Sequence, residues 1–205
     1  LNKVIDINYY PVRETKLSNM KHRPIGLGIQ GLADTLVLLK IPYDCDEALD
    51  LNARIMETIY LAFITASNDI SIERYEPMKK LIDYINKNDI NYPEFYCNEF
   101  NLNNESINKI YHDLKPDKYE LQKDISLSTL GAYSSFEGSP FSEGKFQFDL
   151  WDDNTDLYYK EEWLKLREKV KKFGTRNSLG TACMPTASTR QILGNNECFE
   201  FFTNN

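Results

Sequence analysis

The chain has 205 residues, of which 41% are hydrophobic, and its 24 Lys and Arg against 31 Asp and Glu give a net charge of −7. That length suits one large domain or two small ones, and the apolar fraction is ample for a buried core. The acidic balance argues against a nucleic-acid binder, because phosphate backbones are bound by clustered Lys and Arg. No apolar run approaches the ~20 residues that span a bilayer, so we expect no membrane partner.

The cysteines lie far apart and form no C-x-x-C pair. Structural zinc sites use close pairs, and disulfide frameworks are typical of shorter, cysteine-rich chains, so we expect reduced thiols in a cytoplasmic protein. Lys3, Asp6 and Asn8 occupy the place of a signal peptide's apolar core. The chain begins without methionine, and we expect it to be incomplete. The cysteines are Cys45, Cys97, Cys183 and Cys198.

Helical patterns alternate with short extended segments in the first part of the chain. Apolar spacing predicts a helix over Leu1–Asn8, which Pro11 ends, and a polar loop over residues 19–23. Residues 24–31 alternate as in a strand between glycines, and Leu32–Leu39 has the composition of a short apolar helix. From Asp44, a capping pattern and apolar residues at three- and four-residue steps predict a long helix reaching Ile70.

The composition changes in the middle of the chain. Eight asparagines fall between Asn86 and Asn108, without a strong hydrophobic period. Short helices are predicted over Pro77–Lys87 and Glu105–Leu114. We interpret residues 72–130 as an inserted, mostly helical or irregular peripheral element.

The last part of the chain returns to regular patterns. Glu161–Phe173 has one apolar face and ends at Gly174, which predicts a helix. Residues 177–183 have the pattern of a small-residue strand, and a loop over residues 184–189 leads into a helix of about Thr189–Leu193. The alternation of helices and strands predicts the α/β class.

Gly26, Gly28 and Gly31 match the G-x-G-x-x-G fingerprint of dinucleotide-binding proteins. That fingerprint needs a buried strand before it, whereas Lys21-His22-Arg23-Pro24 is polar and short. The alternative is that the glycines allow close backbone packing where a strand turns into a helix. We favour the second interpretation.

Residues 185–189, Pro-Thr-Ala-Ser-Thr, join a predicted strand to a predicted helix. Such a loop can direct amide and hydroxyl groups at an anion, and phosphate oxygens accept several short hydrogen bonds at once. The alternative is helix capping, since Ser188 and Gln191 have the spacing of a capping box and Thr189 can play a similar part. On spacing alone capping is favoured.

Other candidate sites have weaker patterns. Four aspartates surround Trp151, but a hard-cation loop needs a glycine turn and a closing glutamate, so we expect no metal site. His22 and His112 are too isolated to bind a metal, and no cationic group is placed to activate Cys183 or Cys198. No catalytic residue is predicted. The aspartates are Asp149, Asp152, Asp153 and Asp156.

Seven strings in the chain resemble, in the same order, the large catalytic subunit of class I ribonucleoside-diphosphate reductases of the eukaryotic and viral type. The resemblance covers about residues 1–71 and 131–205. The strings are Leu1–Pro11, His22–Gly26, Gln30–Asp34, Phe136–Pro140, Arg176–Leu179, Met184–Thr189 and Gln191–Glu197.

The resemblance implies part of a ten-stranded α/β barrel in which a cysteine thiyl radical abstracts the ribose 3′ hydrogen of a ribonucleoside diphosphate and a cysteine pair then reduces the 2′ carbon. It implies a homodimer of large subunits, a small subunit whose radical cofactor starts the reaction, and ATP or deoxynucleotide effectors. No cofactor is expected in this segment. The resemblance also assigns Thr186, Ala187, Ser188 and Thr189 to the loop that holds the substrate diphosphate, which favours phosphate over capping.

The departures from the family define three parts: barrel segments at residues 1–71 and 131–205, separated by the inserted residues 72–130. The family's radical and redox cysteines lie in strings that this chain lacks, so we expect the segment alone to be inactive. Cys183, Arg190 and Phe201 replace residues usual in the family. Two alternatives are a non-catalytic interaction module that binds partners through residues 72–130, and a nicotinamide dehydrogenase that uses the three glycines.

Overall fold

The computed structural model describes residues 1–151 and 156–202, which form two compact units. The first unit comprises Leu1–Ile25, Ile64–Asp156 and Lys160–Leu179, and the second comprises Gly26–Phe63, Leu157–Tyr159 and Gly180–Asn205. The α-helices of the described residues are α1 (Asn2–Ile7), α2 (Arg13–His22), α3 (Leu32–Leu39), α4 (Asp46–Lys87), α5 (Glu105–Leu114), α6 (Lys118–Leu121), α7 (Lys160–Phe173) and α8 (Ala187–Leu193).

The first unit contains a buried apolar cluster that lies wholly between residues 75 and 130. The second half of α4 contributes Met78 and Ile82 to it, and α5 contributes Tyr111, all of them completely buried. These residues recur at helical spacing, so each helix presents one apolar face to the cluster. Two 3-10 helices, Pro140–Glu143 and Gln147–Leu150, precede α7 in the same unit.

The second unit has a smaller apolar cluster in which Leu32 and Leu36 of α3 pack with Ala48 near the start of α4. Two extended segments lie beside each other through a single parallel bridge between Leu27 and Thr181. The second of these segments leads into the loop that precedes α8.

The prediction of an α/β class and of part of a ten-stranded barrel is wrong for this structure. The described residues are mainly helical, and the bridge between Leu27 and Thr181 is their whole sheet content. A parallel sheet requires several neighbouring strands, whereas these two extended segments offer each other only one pairing position. The division of the chain into residues 1–71, 72–130 and 131–205 stays a prediction.

Several helix predictions are confirmed, and the bounds of α5 match the predicted ones. The predicted loop over residues 19–23 is wrong, because α2 extends to His22. The separate helix predicted from Pro77 is also wrong as an element, since α4 continues through that proline to Lys87. Among the described residues, no helix combines the length and the apolar character needed to cross a bilayer.

Candidate functional site: the loop before α8

The predicted phosphate loop lies at the start of α8 in the second unit. Thr186 is the N-cap residue, and the structure records no side-chain hydrogen bond that caps the helix. The first amide groups of a helix have no acceptor within the helix, so those of Ala187, Ser188 and Thr189 are available to another partner. Gly194 ends the helix with φ of 73°, a conformation that glycine adopts without strain.

The loop is held by contacts from two other segments of the same unit. The backbone N–H of Cys198 donates to Thr186 Oγ1 at 3.0 Å, and Thr189 Oγ1 donates to Gln30 Oε1 at 3.0 Å. The segment after α8 is fixed in turn, because Asn196 N donates to Asp34 Oδ2 at 2.7 Å. The loop therefore has a defined conformation on the second unit.

The predicted loop residues remain open to solvent. Ala187, Ser188 and Thr189 are exposed, and Thr186 is partly buried. The capping-box alternative for Ser188 is wrong, because a capping box needs Ser188 as the N-cap residue. In the structure α8 begins at Ala187, and Ser188 is the second residue of the helix. Arg190, which departs from the family pattern, forms an ion pair with Glu197. Its charge is therefore partly neutralised inside the protein.

The three glycines of the G-x-G-x-x-G match serve backbone packing. A Cβ atom on Gly28 would lie 2.6 Å from the carbonyl oxygen of Ala182, and Gly31 is the N-cap of α3 with φ of 79°. Upstream, α2 ends at His22, where a dinucleotide site needs a buried strand. The geometry of this segment therefore favours close packing over nucleotide binding.

The acidic residues near Trp151 take part in ion pairs where the structure describes them. Arg167 donates to both carboxylate oxygens of Asp149 at 2.8 and 3.0 Å, and Asp156 pairs with Lys160. Asp152 and Asp153 lie outside the described residues. Within residues 1–151 and 156–202, no group of three or more His, Cys, Asp or Glu side chains is placed to share a metal ion.

The cysteines are free thiols in different surroundings. Cys183 is exposed just before the loop, whereas Cys198 is buried and burial raises the pKa of its thiol. A raised pKa lowers the thiolate fraction and therefore the reactivity of Cys198.

A buried polar network in the first unit joins three of the strings that carry the family resemblance. The side-chain nitrogen Nδ2 of Asn177 donates to the carbonyl oxygen of Arg23 at 2.9 Å and to Asn2 Oδ1 at 3.0 Å. Arg23 donates to Asp6 Oδ1 at 2.8 Å, and Asn177 N donates to Ser67 Oγ at 3.0 Å. Sequence reasoning missed this network, because its members are adjacent only in space.

Next to this network lies a buried ion-pair cluster. Arg176 Nη1 donates to Glu120 Oε1 at 2.6 Å, and Arg74 Nη2 donates to the same oxygen at 3.0 Å. Burial alone would raise the pKa of Glu120, but the charges of Arg176 and Arg74 outweigh burial and lower it to about 2. Glu120 therefore stays ionised and supplies the negative charge at the centre of the cluster.

The whole chain, residues 1–205, matches the family model described as "Ribonucleotide reductase, barrel domain". It is 40% identical over 206 residues to a ribonucleoside-diphosphate reductase large chain of Neurospora crassa. It is 42% identical to a large subunit of Caenorhabditis elegans and 37% identical to one of Acanthamoeba polyphaga mimivirus.

Each of these alignments covers all of this chain but only 16%, 19% and 17% of the respective relative. The chain therefore spans less than a fifth of the length of these curated relatives. The match over the full chain and the identities above 30% agree with the strings found in the sequence. The chain belongs to the ribonucleotide reductase large-subunit family, as a segment of such a subunit.

Proposed function

We propose that this chain is part of a large subunit that reduces ribonucleoside diphosphates to 2′-deoxyribonucleoside diphosphates. The observation that carries the proposal is the family match over residues 1–205, together with relatives named as ribonucleoside-diphosphate reductases. In the complete subunit, a cysteine thiyl radical would act on the ribose. That cysteine would come from outside the strings present here, so the segment alone performs no turnover.

Thr186, Ala187, Ser188 and Thr189 bind the substrate diphosphate in this proposal. Support comes from the exposed first turn of α8, whose amide groups lack helical acceptors, and from the hydroxyl groups beside them. Several donors that converge on one place suit a diphosphate, because its oxygens accept several hydrogen bonds at once. The positive end of the α8 dipole adds a smaller attraction, in proportion to the short helix.

The proposed partners follow from the family to which the chain belongs. A small subunit supplies the radical cofactor, two large subunits form the dimer, and ATP or deoxynucleotides act as effectors. We place the enzyme in the cytoplasm, where it supplies deoxyribonucleotides for DNA replication. No site for the radical cofactor is assigned to this chain, because that group belongs to the partner subunit.

A turnover assay tests the proposed function. The complete subunit that contains this chain, mixed with its small subunit, a dithiol and a ribonucleoside diphosphate, is expected to form the deoxyribonucleoside diphosphate. The 205-residue chain in the same mixture is expected to form none. Product formed by the chain alone, or no product from the complete subunit with an active small subunit, would contradict the proposal.

A further inference from the structure

We propose that residues 72–130 are an inserted element with its own apolar core, which binds the rest of its unit through an acidic surface centred on Glu120. The partner of this surface is the chain itself: the basic side chains of α2 together with Arg176. The proposal does not depend on the reductase function. It concerns which contacts keep the element, called the insert below, in place.

The two ends of the insert meet in space. Ser71 precedes the insert and Gly131 follows it, and a Cβ atom on Gly131 would lie 1.9 Å from the carbonyl oxygen of Ser71. Only glycine allows the backbone to approach that closely. An element that leaves and returns at one point can be added to a fold without moving the segments on either side.

The insert also has a hydrophobic core of its own. Every residue of the apolar cluster described above for the first unit lies within the insert. The helices of the insert therefore bury their apolar faces against each other. Burial of apolar side chains is the dominant stabilising contribution in a small folded element. The buried members are Met78, Leu81, Ile82, Ile85, Leu102, Tyr111, Leu121 and Leu130.

The binding surface combines acidic and aromatic side chains of the insert with basic side chains outside it. Glu94 accepts two hydrogen bonds from Arg13 Nη2 of α2, at 2.7 and 3.0 Å. The amino group of Lys16 lies 5.1 Å from the ring centre of Phe95, and that of Lys21 lies 5.3 Å from the ring of Tyr119. The charges of the two surfaces are therefore complementary.

Glu120 is the buried centre of the surface. Its side chain is 0% exposed and that of Arg176 is 2% exposed, with 2.6 Å between Glu120 Oε1 and Arg176 Nη1. Next to it, the hydroxyl of Ser134 donates to both carboxylate oxygens of Asp117 at 3.0 and 3.1 Å. A buried guanidinium that loses its carboxylate is strongly unfavourable, whereas an exposed ion pair contributes little. Glu120 should therefore contribute far more to docking than Glu94.

Glu120→Gln in the full chain tests this assignment, with Glu94→Gln as the matched control. Each substitution removes one carboxylate from the same surface: Glu120 is fully buried, whereas Glu94 is partly exposed and pairs with the exposed Arg13. We expect Glu120→Gln to lower the melting temperature by several degrees and Glu94→Gln to leave it nearly unchanged. Equal effects of the two substitutions would overturn the central role of Glu120.

Hydrogen exchange on the same variants separates undocking from general destabilisation. In Glu120→Gln we expect faster exchange in α2 and around residues 132–134, while α5 keeps its protection because its core lies inside the insert. Loss of protection in α5 together with α2 would show that the insert has no independent core, and would overturn that part of the proposal.

Two further variants keep the proposal testable if Glu120→Gln does not fold. The triple variant Glu120→Met, Arg176→Met and Arg74→Met removes the carboxylate together with both guanidinium groups that pair with it, and we expect it to melt above Glu120→Gln. Deletion of residues 72–130, with Ser71 joined to Gly131, exposes Arg176 to water and should leave a cooperatively melting protein. Failure of both variants to fold would overturn the proposal.

Discussion

The backbone N–H of Cys198 donates a hydrogen bond to Thr186 Oγ1 at 3.0 Å. This contact joins the residue that begins α8 to the segment that follows the helix. The hydroxyl of Thr186 therefore serves as an acceptor inside the protein. The exposed hydroxyl of Ser188 stays available to a ligand, whereas that of Thr189 donates to Gln30 and has to turn away from it to donate to a ligand. Within the proposed phosphate loop, Thr186 therefore has a structural role in addition to its proposed role in binding, because a hydroxyl that accepts one hydrogen bond can still donate another.

Substitution of Thr186 tests the structural role of its hydroxyl as the acceptor for the Cys198 N–H. Thr186→Val keeps the shape of the side chain but leaves the Cys198 N–H without its acceptor, which costs about 1 kcal/mol at a partly exposed position. Because the lost contact orders the loop that binds, we expect the affinity of the complete subunit for a ribonucleoside diphosphate to fall by up to about fivefold, the equivalent of that cost. Thr186→Ser retains the hydroxyl and should bind normally, as measured by isothermal titration. Equal loss in both variants would contradict the acceptor role.

Close packing of the glycines predicts different effects for two alanine substitutions. The Cβ of Gly28→Ala would lie 2.6 Å from the carbonyl oxygen of Ala182, whereas that of Gly26→Ala would lie 3.2 Å from the Cβ of the same residue. We expect Gly28→Ala to lower the free energy of unfolding by about 1–3 kcal/mol and Gly26→Ala by less. Chemical denaturation of both variants measures the difference. A stable Gly28→Ala variant would contradict the packing interpretation.

The raised pKa of the Asp117 carboxyl predicts how the free energy of unfolding depends on pH. Burial, with a further contribution from the charge of Glu120, raises its pKa to about 6 from 3.8. The folded state therefore binds this proton more tightly than the unfolded state, so the stabilisation is complete below pH 3.8 and is lost as the pH rises through 6. Between about pH 7 and pH 5, the free energy of unfolding should gain about 1 kcal/mol from this group.

The measurement is urea denaturation of the wild type and of Asp117→Asn at several pH values. Asparagine can still cap α6, as Asp117 does by accepting from Glu120 N at 2.8 Å, but it does not titrate. The stability of the wild type relative to the variant should therefore rise as the pH falls from 7 to 5. A constant difference would show that the Asp117 carboxyl has an ordinary pKa.

Hydrophobic spacing predicted the helices whose apolar faces are buried. For α5 and α7 the apolar positions in the sequence define the buried face, and flanking residues mark the ends. Spacing failed for α2, a polar helix with a single buried residue, Met20. It also failed at Pro77, where local sequence indicates a new helix but packing inside the cluster continues α4.

The site was predictable only in part. Residues 186–189 were found through the family resemblance, because small and hydroxyl residues before a helix fit capping as well as phosphate binding. Gln30 was missed because it lies 159 residues from Thr189 in sequence. Cys198 was missed because its contact is made by the backbone N–H, which no side-chain pattern indicates. The same reason hid the pairing of Glu120 with Arg176, which no local pattern indicates.

The central claim is that the exposed hydroxyl groups at the start of α8 bind the substrate diphosphate. The most direct test is the dissociation constant of a ribonucleoside diphosphate for the complete subunit that carries Ser188→Ala and Thr189→Ala, with Thr58→Ala as control. Thr58 is an exposed threonine whose hydroxyl bonds to the carbonyl of Arg54 in its own helix and lies 3.0 Å from the hydroxyl of Tyr159. We predict at least about tenfold weaker binding for the double variant, from the loss of two hydrogen bonds to a charged group. Its melting temperature should stay close to that of the control. A large fall in melting temperature with unchanged binding would contradict the claim, because the hydroxyl groups would then stabilise the helix and not the substrate.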